Sequence, residues 1–215
     1  MLQTKRLLLC GPIGCLLFIL LFLIQGLIRE NYFPFRFPIS SLSIGEFGWV
    51  QISNFIISGS LIFLFAFGLR QAATSLKGII WISRLIGAVG LGLVGAGICS
   101  TDPVYGYPIT EPLRLAQFTI HGHLHDFCSL FVFICSPIAC FKFYNRFKEF
   151  GNKSWATYSL VSGIGMIVMF ILAGIGFKQT EGFVEFAGIF QRLSIIIGCA
   201  WTTMLAFHII KAAKT

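Results

Sequence analysis

Six long apolar stretches alternate with short polar ones along this chain, and each is long enough to cross a bilayer as a single helix. A crossing takes about 20 mostly apolar residues. The runs extend from Leu7 to Ile28, Phe47 to Leu69, Ile79 to Cys99, His121 to Phe141, Trp155 to Phe177 and Ala187 to Ile210. This pattern predicts an all-α fold: one domain, residues 1–215, built as an integral membrane bundle of six transmembrane helices. The spans consume most of the chain and leave no room for a soluble domain. The first run has a basic flank, Lys5 and Arg6, as a signal peptide would. Its apolar stretch is too long for a cleaved signal and no small-residue cleavage site follows, so it reads as a retained span. Composition agrees, with 56% hydrophobic against 11% charged residues, far from the roughly one-quarter charged of a soluble domain.

Charge then orients the bundle. Cytoplasmic loops carry the excess of Lys and Arg. Lys5, Arg6, Arg70, Lys77, Arg84, Lys142, Arg146, Lys148, Lys153, Lys211 and Lys214 fall on one side, whereas Arg29, Arg36, Arg114, Lys178 and Arg192 fall on the other. Both termini are therefore expected in the cytoplasm. The net charge of +8 is a topology signal, a basic face set against anionic inner-leaflet lipid. The partner it implies is membrane lipid, not nucleic acid, and no protein partner can be read from it. The seven cysteines lie in or at the ends of spans, where they read as packing residues and not as an extracytoplasmic disulfide framework.

Two outer loops carry the punctuation. Tyr32-Phe33-Pro34-Phe35-Arg36-Phe37-Pro38 is suited to lying at the headgroup level as an aromatic anchor. Asp102-Pro103 and Gly106-Tyr107-Pro108 bias the chain away from helix, so Asp102 should end the third span. That span has small residues at Gly87, Ala88, Gly92, Gly95, Ala96 and Cys99. Small residues let membrane helices approach closely, and a place at the centre of the bundle is expected for it. Gly48-x-x-Gln51 and Gly188-x-x-Gln191 open the second and sixth spans as a faint echo of each other.

The chemistry gathers at the outer rim, in His121-Gly122-His123-Leu124-His125-Asp126. Ionisable groups beside hydrocarbon are costly and by default mark a functional site. His121 and His125 are one helical turn apart and share a face, so they could ligate one metal. Asp102 is the best third ligand. Zinc in a catalytic site takes three protein ligands and an open position for an activated water. In that scheme Asp126 or Glu46 is the general base. A His-x-x-x-His pair also arises by chance, and such histidines often bond a loop carbonyl instead. Trp49, Gln51, Asn54, Gln191 and Arg192 open the second and sixth spans at the same level, as a ligand-binding or structural network. His208 reads as a cytoplasmic boundary residue.

These residues also carry a resemblance. The stretch Ser43 to Phe55, then Thr101-Asp102-Pro103 with Gly106-Tyr107-Pro108, His121-Gly122 with His125-Asp126, and Gln191-Arg192 resemble the prokaryotic membrane family known as domain of unknown function 998. The resemblance implies a six-helix protein of the prokaryotic cytoplasmic membrane with no established activity. It carries over to Gly48, Trp49, Asn54, Asp102, Pro103, His121, Gly122, His125, Gln191 and Arg192, and leaves out His123. A fainter resemblance is to the alkaline ceramidase and progestin-type receptor superfamily, which uses a serine, an aspartate and three histidines around zinc. Here the histidines cluster in one segment, and the late His-x-x-x-His span is missing. Two functions follow. The preferred one is a non-catalytic role, binding a small molecule or lipid or stabilising a partner, because polar networks are commoner than active sites. The alternative is a zinc-dependent membrane hydrolase of lipid amides or esters.

Overall fold

A computed structural model describes residues 2–72, 79–108 and 119–212. Lys77, Glu111, Arg114 and Lys214 lie outside the described residues. The helices are α1 (Leu2–Ile28), α2 (Gly48–Ala72), α3 (Ile79–Ile98), α4 (Ile120–Glu149), α5 (Lys153–Phe177) and α6 (Ala187–Ala212). All six have the length and apolarity to cross a membrane. The predicted spans hold on the outer side, while α1 starts five residues earlier than its apolar run and α4 continues past Phe141 to Glu149. Those extensions are polar helix beyond the hydrocarbon, which hydropathy alone does not register.

Each helix packs on the next in sequence, and α6 closes on α1. The result is a ring, so the central position expected for α3 is not found. What its small residues do instead is bring both neighbours close. A Cβ on Gly90 would collide with the backbone of Phe63 and Gly59 in α2, and one on Gly92 or Gly95 with Cys128 in α4. Between α1 and α2, Gly11 seats the Phe65 ring and Gly68 seats the backbone of Leu7 and Leu8. Lipid tails are as apolar as leucine, so such close approach, not hydrophobic burial, drives helix association in a bilayer. Thr4 Oγ1 donates to Gln71 Oε1 at 3.1 Å, tying the start of α1 to the end of α2 on the face expected to be cytoplasmic.

The ring encloses a lumen. A cavity of about 40 Å³ is lined from every helix, including Cys15 and Phe18 of α1, Val89 of α3, Pro137 of α4, Met166 of α5 and Thr202 of α6.

Over the outer end folds the 29–47 loop, with a 3-10 turn at Ile39–Ser43 that packs on α1, α2 and α6. Tyr32 and Phe37 turn inward and are buried. With Tyr107 they form an aromatic plug, the ring centroids 5.3 to 5.9 Å apart. The expected headgroup anchor is thus only half of the segment's role. Phe33 and Phe35 do lie exposed, as do Phe47, Trp49, Tyr105 and Phe186, forming an interfacial aromatic belt.

Candidate functional site

The rim resolves into a clamp between α3 and α4. Helix α3 ends at Ile98, and the last carbonyls of a helix lack intrahelical partners. His125, 2% exposed, aims Nδ1 at Ala96 O in the last turn, at 2.8 Å, and at Cys99 O just beyond it, at 3.0 Å. Both partners are acceptors, so Nδ1 carries the proton and donates. The Phe55 ring packs edge-on against the imidazole at 5.9 Å. Four residues beyond the end of α3, Asp102 returns the interaction. Its Oδ2 accepts from Thr119 N at 2.8 Å and its Oδ1 from Thr119 Oγ1 at 2.7 Å. Thr119 is itself the N-cap of α4, accepting from Gly122 N at 3.0 Å. A carboxylate beside a helix N-terminus also opposes the positive end of the helix dipole. Each helix therefore caps the other across the loop. Gly122 makes this possible, because a Cβ there would overlap Oδ2 and Cγ of Asp102.

The ligand triad His121, His125 and Asp102 is not brought together. His121 is on the same face as His125 but one turn further out, beyond the end of α3; among the described residues it is exposed. Both Asp102 oxygens are engaged with Thr119, and His125 has one ring nitrogen committed to backbone. A carbonyl-bonded Nδ1 is how metal-binding histidines are commonly held. Among the described residues no group of three or more His, Cys, Asp and Glu side chains is placed to hold a metal ion. Asp126, next to His125, is exposed, as is Glu46; neither stands beside an assembled metal set among the described residues.

The network residues divide into two structural groups. In α2, Gln51 and Asn54 are fully buried. Gln51 Oε1 accepts from Gln25 Nε2 at 2.8 Å and from Asn54 Nδ2 at 3.3 Å. Asn54 Nδ2 also reaches Phe18 O at 3.1 Å, and Asn54 Oδ1 accepts from Ser58 Oγ at 3.1 Å. In α6, Gln191 Oε1 accepts from Ile39 N at 2.8 Å. Arg192, 4% exposed, donates to Phe37 O at 3.0 Å, Gly188 O at 2.9 Å and the Tyr32 hydroxyl. Its guanidinium also lies over the Phe22 and Tyr32 rings. No carboxylate pairs with it among the described residues; carbonyl dipoles and ring faces solvate the charge. Burial pushes the Tyr32 phenol above its ordinary value, with the Arg192 charge opposing that shift, and burial raises Tyr107 likewise. Trp49 belongs to neither group, being 64% exposed on the membrane side of α2.

The Gly48 and Gly188 echo has a physical basis. A Cβ on Gly48 would strike Ser43 O, and one on Gly188 would strike Pro34 O and Phe37 O. Both glycines let the same outer loop press its carbonyls onto a helix N-terminus. Ile189 N completes the docking by donating to Phe35 O at 3.0 Å.

These paired glycines, the Asp102 and Gly122 contact and the Gln191-Arg192 latch all fall inside a match between residues 12–208 and the family described as "Protein of unknown function (DUF998)". The chain belongs to the DUF998 family. No solved structure matches it. In this DUF998 protein, sequence reasoning passed over Gln25, Ser58 and Thr119, and it read Tyr32 and Phe37 as membrane anchors when they are buried partners of Arg192 and Tyr107. Gln25 carried a usable signal, a lone amide in an otherwise apolar run. The lumen-lining Ser136, Ser194 and Thr202 carried none, since hydroxyl side chains are common in membrane helices.

Proposed function

We propose that this DUF998 protein is a non-catalytic binding protein of a prokaryotic cytoplasmic membrane, and that its ligand is a slender, largely apolar molecule of lipid class held in the lumen. The observation that carries this reading is the cavity on which all six helices converge. Its volume of about 40 Å³ exceeds the roughly 10–15 Å³ needed for one water. Its walls are apolar apart from small groups such as Ser136, Ser194 and Thr202, the mixture typical of ligand sites. Pro137 within α4 removes the hydrogen bond to the Phe133 carbonyl one turn earlier, and both residues line the cavity. Met166 gives one wall an adaptable surface. The zinc hydrolase alternative needs His121, His125 and Asp102 free to meet, and it is disfavoured by the commitment of Asp102 and His125 to helix ends.

Native mass spectrometry on detergent-purified protein tests the reading. A single-chain lipid is expected to stay bound through detergent exchange. Val89→Phe, which fills the lumen, should weaken that binding by about tenfold or more with little change in melting temperature. Equal retention by both proteins would remove the lumen as the site.

A further inference from the structure

Five buried side-chain polar atoms have no hydrogen-bond partner among the described residues; Arg36 Nε and Arg146 Nε belong to guanidiniums paired with Glu185 and Glu149, and the three uncharged ones are Gln25 Oε1, Gln51 Nε2 and Ser41 Oγ. The residues are 6%, 0% and 0% exposed. Gln25 and Gln51 are joined amide to amide at 2.8 Å, and Ser41 sits in the 3-10 turn that packs on α1 and α2. Reversing the amides does not relieve the mismatch. Gln51 Oε1 already receives two N–H groups, from Gln25 and Asn54, and Gln25 Nε2 also donates to Leu21 O at 3.2 Å. Turning both amides would set Gln25 Oε1 against the Leu21 carbonyl and Gln51 Nε2 against the Asn54 amide N–H.

The unmet set is therefore defined: one acceptor, one donor, and one hydroxyl able to act as either. It is uncharged, and the nearby cation Arg192 has its own partners. A carboxylate or phosphate would find one amide donor and a repelling carbonyl oxygen. A hydroxyl group matches, accepting from Gln51 Nε2 while donating to Gln25 Oε1. A chain of hydrogen bonds leads from the site to the lumen wall: Asn54, bonded to Gln51, donates to the carbonyl of Phe18, whose side chain is part of that wall.

We propose that Gln25, Gln51 and Ser41 bind one uncharged hydroxyl group, supplied by water or by the head of a lipid alcohol whose chain occupies the lumen. The lipid form rests on the lumen reading above; the water form does not.

The experiment compares a long-chain primary alcohol with its methyl ether, which accepts but cannot donate, on purified full-length protein by native mass spectrometry. Wild type is expected to prefer the alcohol by about tenfold or more, and Gln51→Leu and Ser41→Ala should abolish the preference. Because the two ligands are compared on wild-type protein, the test stands even if Gln51→Leu fails to fold. Equal binding of alcohol and ether, together with an ordered water on the three atoms in a high-resolution map, establishes the water form. Equal binding with no water there overturns the proposal. If Val89→Phe still abolishes binding of both ligands in that last case, the lumen reading survives while the hydroxyl site falls.

Discussion

Replacing Gly122 by alanine is expected to destabilise the bundle by about 2–4 kcal/mol, although alanine is the better helix former by roughly 1 kcal/mol. The new methyl would occupy the position of the Asp102 carboxylate. Asp102 would have to leave Thr119, giving up two hydrogen bonds to a charged acceptor, each contributing about 1.5–3 kcal/mol. The N-cap of α4 would loosen with it. Thermal unfolding in detergent, followed by tryptophan fluorescence, measures the loss. A second variant isolates the cause: in an Asp102→Ala background the same Gly122→Ala change should be nearly neutral or stabilising, because the clash has gone. Additive losses in the two backgrounds would mean that the carboxylate is not what Gly122 accommodates.

The second large effect is expected at Arg192. Arg192→Leu should cost about 2–4 kcal/mol, since the Tyr32 hydroxyl and the Phe37 carbonyl lose a charged donor while remaining buried. Arg192→Lys should recover little of this, because an ammonium cannot form the planar fork that reaches Phe37 O, Gly188 O and Tyr32 together. The damage should be local as well as global. With its latch gone, the loop between α1 and α2 should be cut by added protease between residues 29 and 47, at concentrations that leave wild type intact. Wild-type resistance to cleavage in Arg192→Leu would show that Gln191 and Ile189 hold the loop without it.

The helices were legible because a bilayer imposes a minimum apolar length, and each of the six runs met it. The rim was legible as a place: Asp102 meets Gly122 there, and His125 bonds the end of α3 beside it. Their role was not legible, since it depends on where α3 stops. A shared helix face made His121 and His125 look equivalent, yet α3 ends at Ile98, deep enough to cover His125 and too soon to reach His121. Trp49 shows the same dependence on neighbours. It is two residues from Gln51 and so on another side of α2, which the sequence placed at the right depth but not facing the right way. Arg192 was legible as a member of the rim network, but its partners were not. It binds loop carbonyls and Tyr32, because the 29–47 loop folds in over the ring, a long-range contact that no local periodicity encodes. Glu185 faces Arg36 at 3.6 Å.

The central claim is that Asp102 and His125 fasten α3 to α4 and do not hold a catalytic ion. Elemental mass spectrometry on protein purified without chelator, beside His121→Ala/His125→Ala, tests it most directly. The clamp predicts far less than one transition-metal ion per chain in both proteins, with the double variant melting at lower temperature because Ala96 O and Cys99 O lose their donor. About one zinc per wild-type chain, absent from a double variant that is still folded and monodisperse, would contradict it and make the outer rim a metal site.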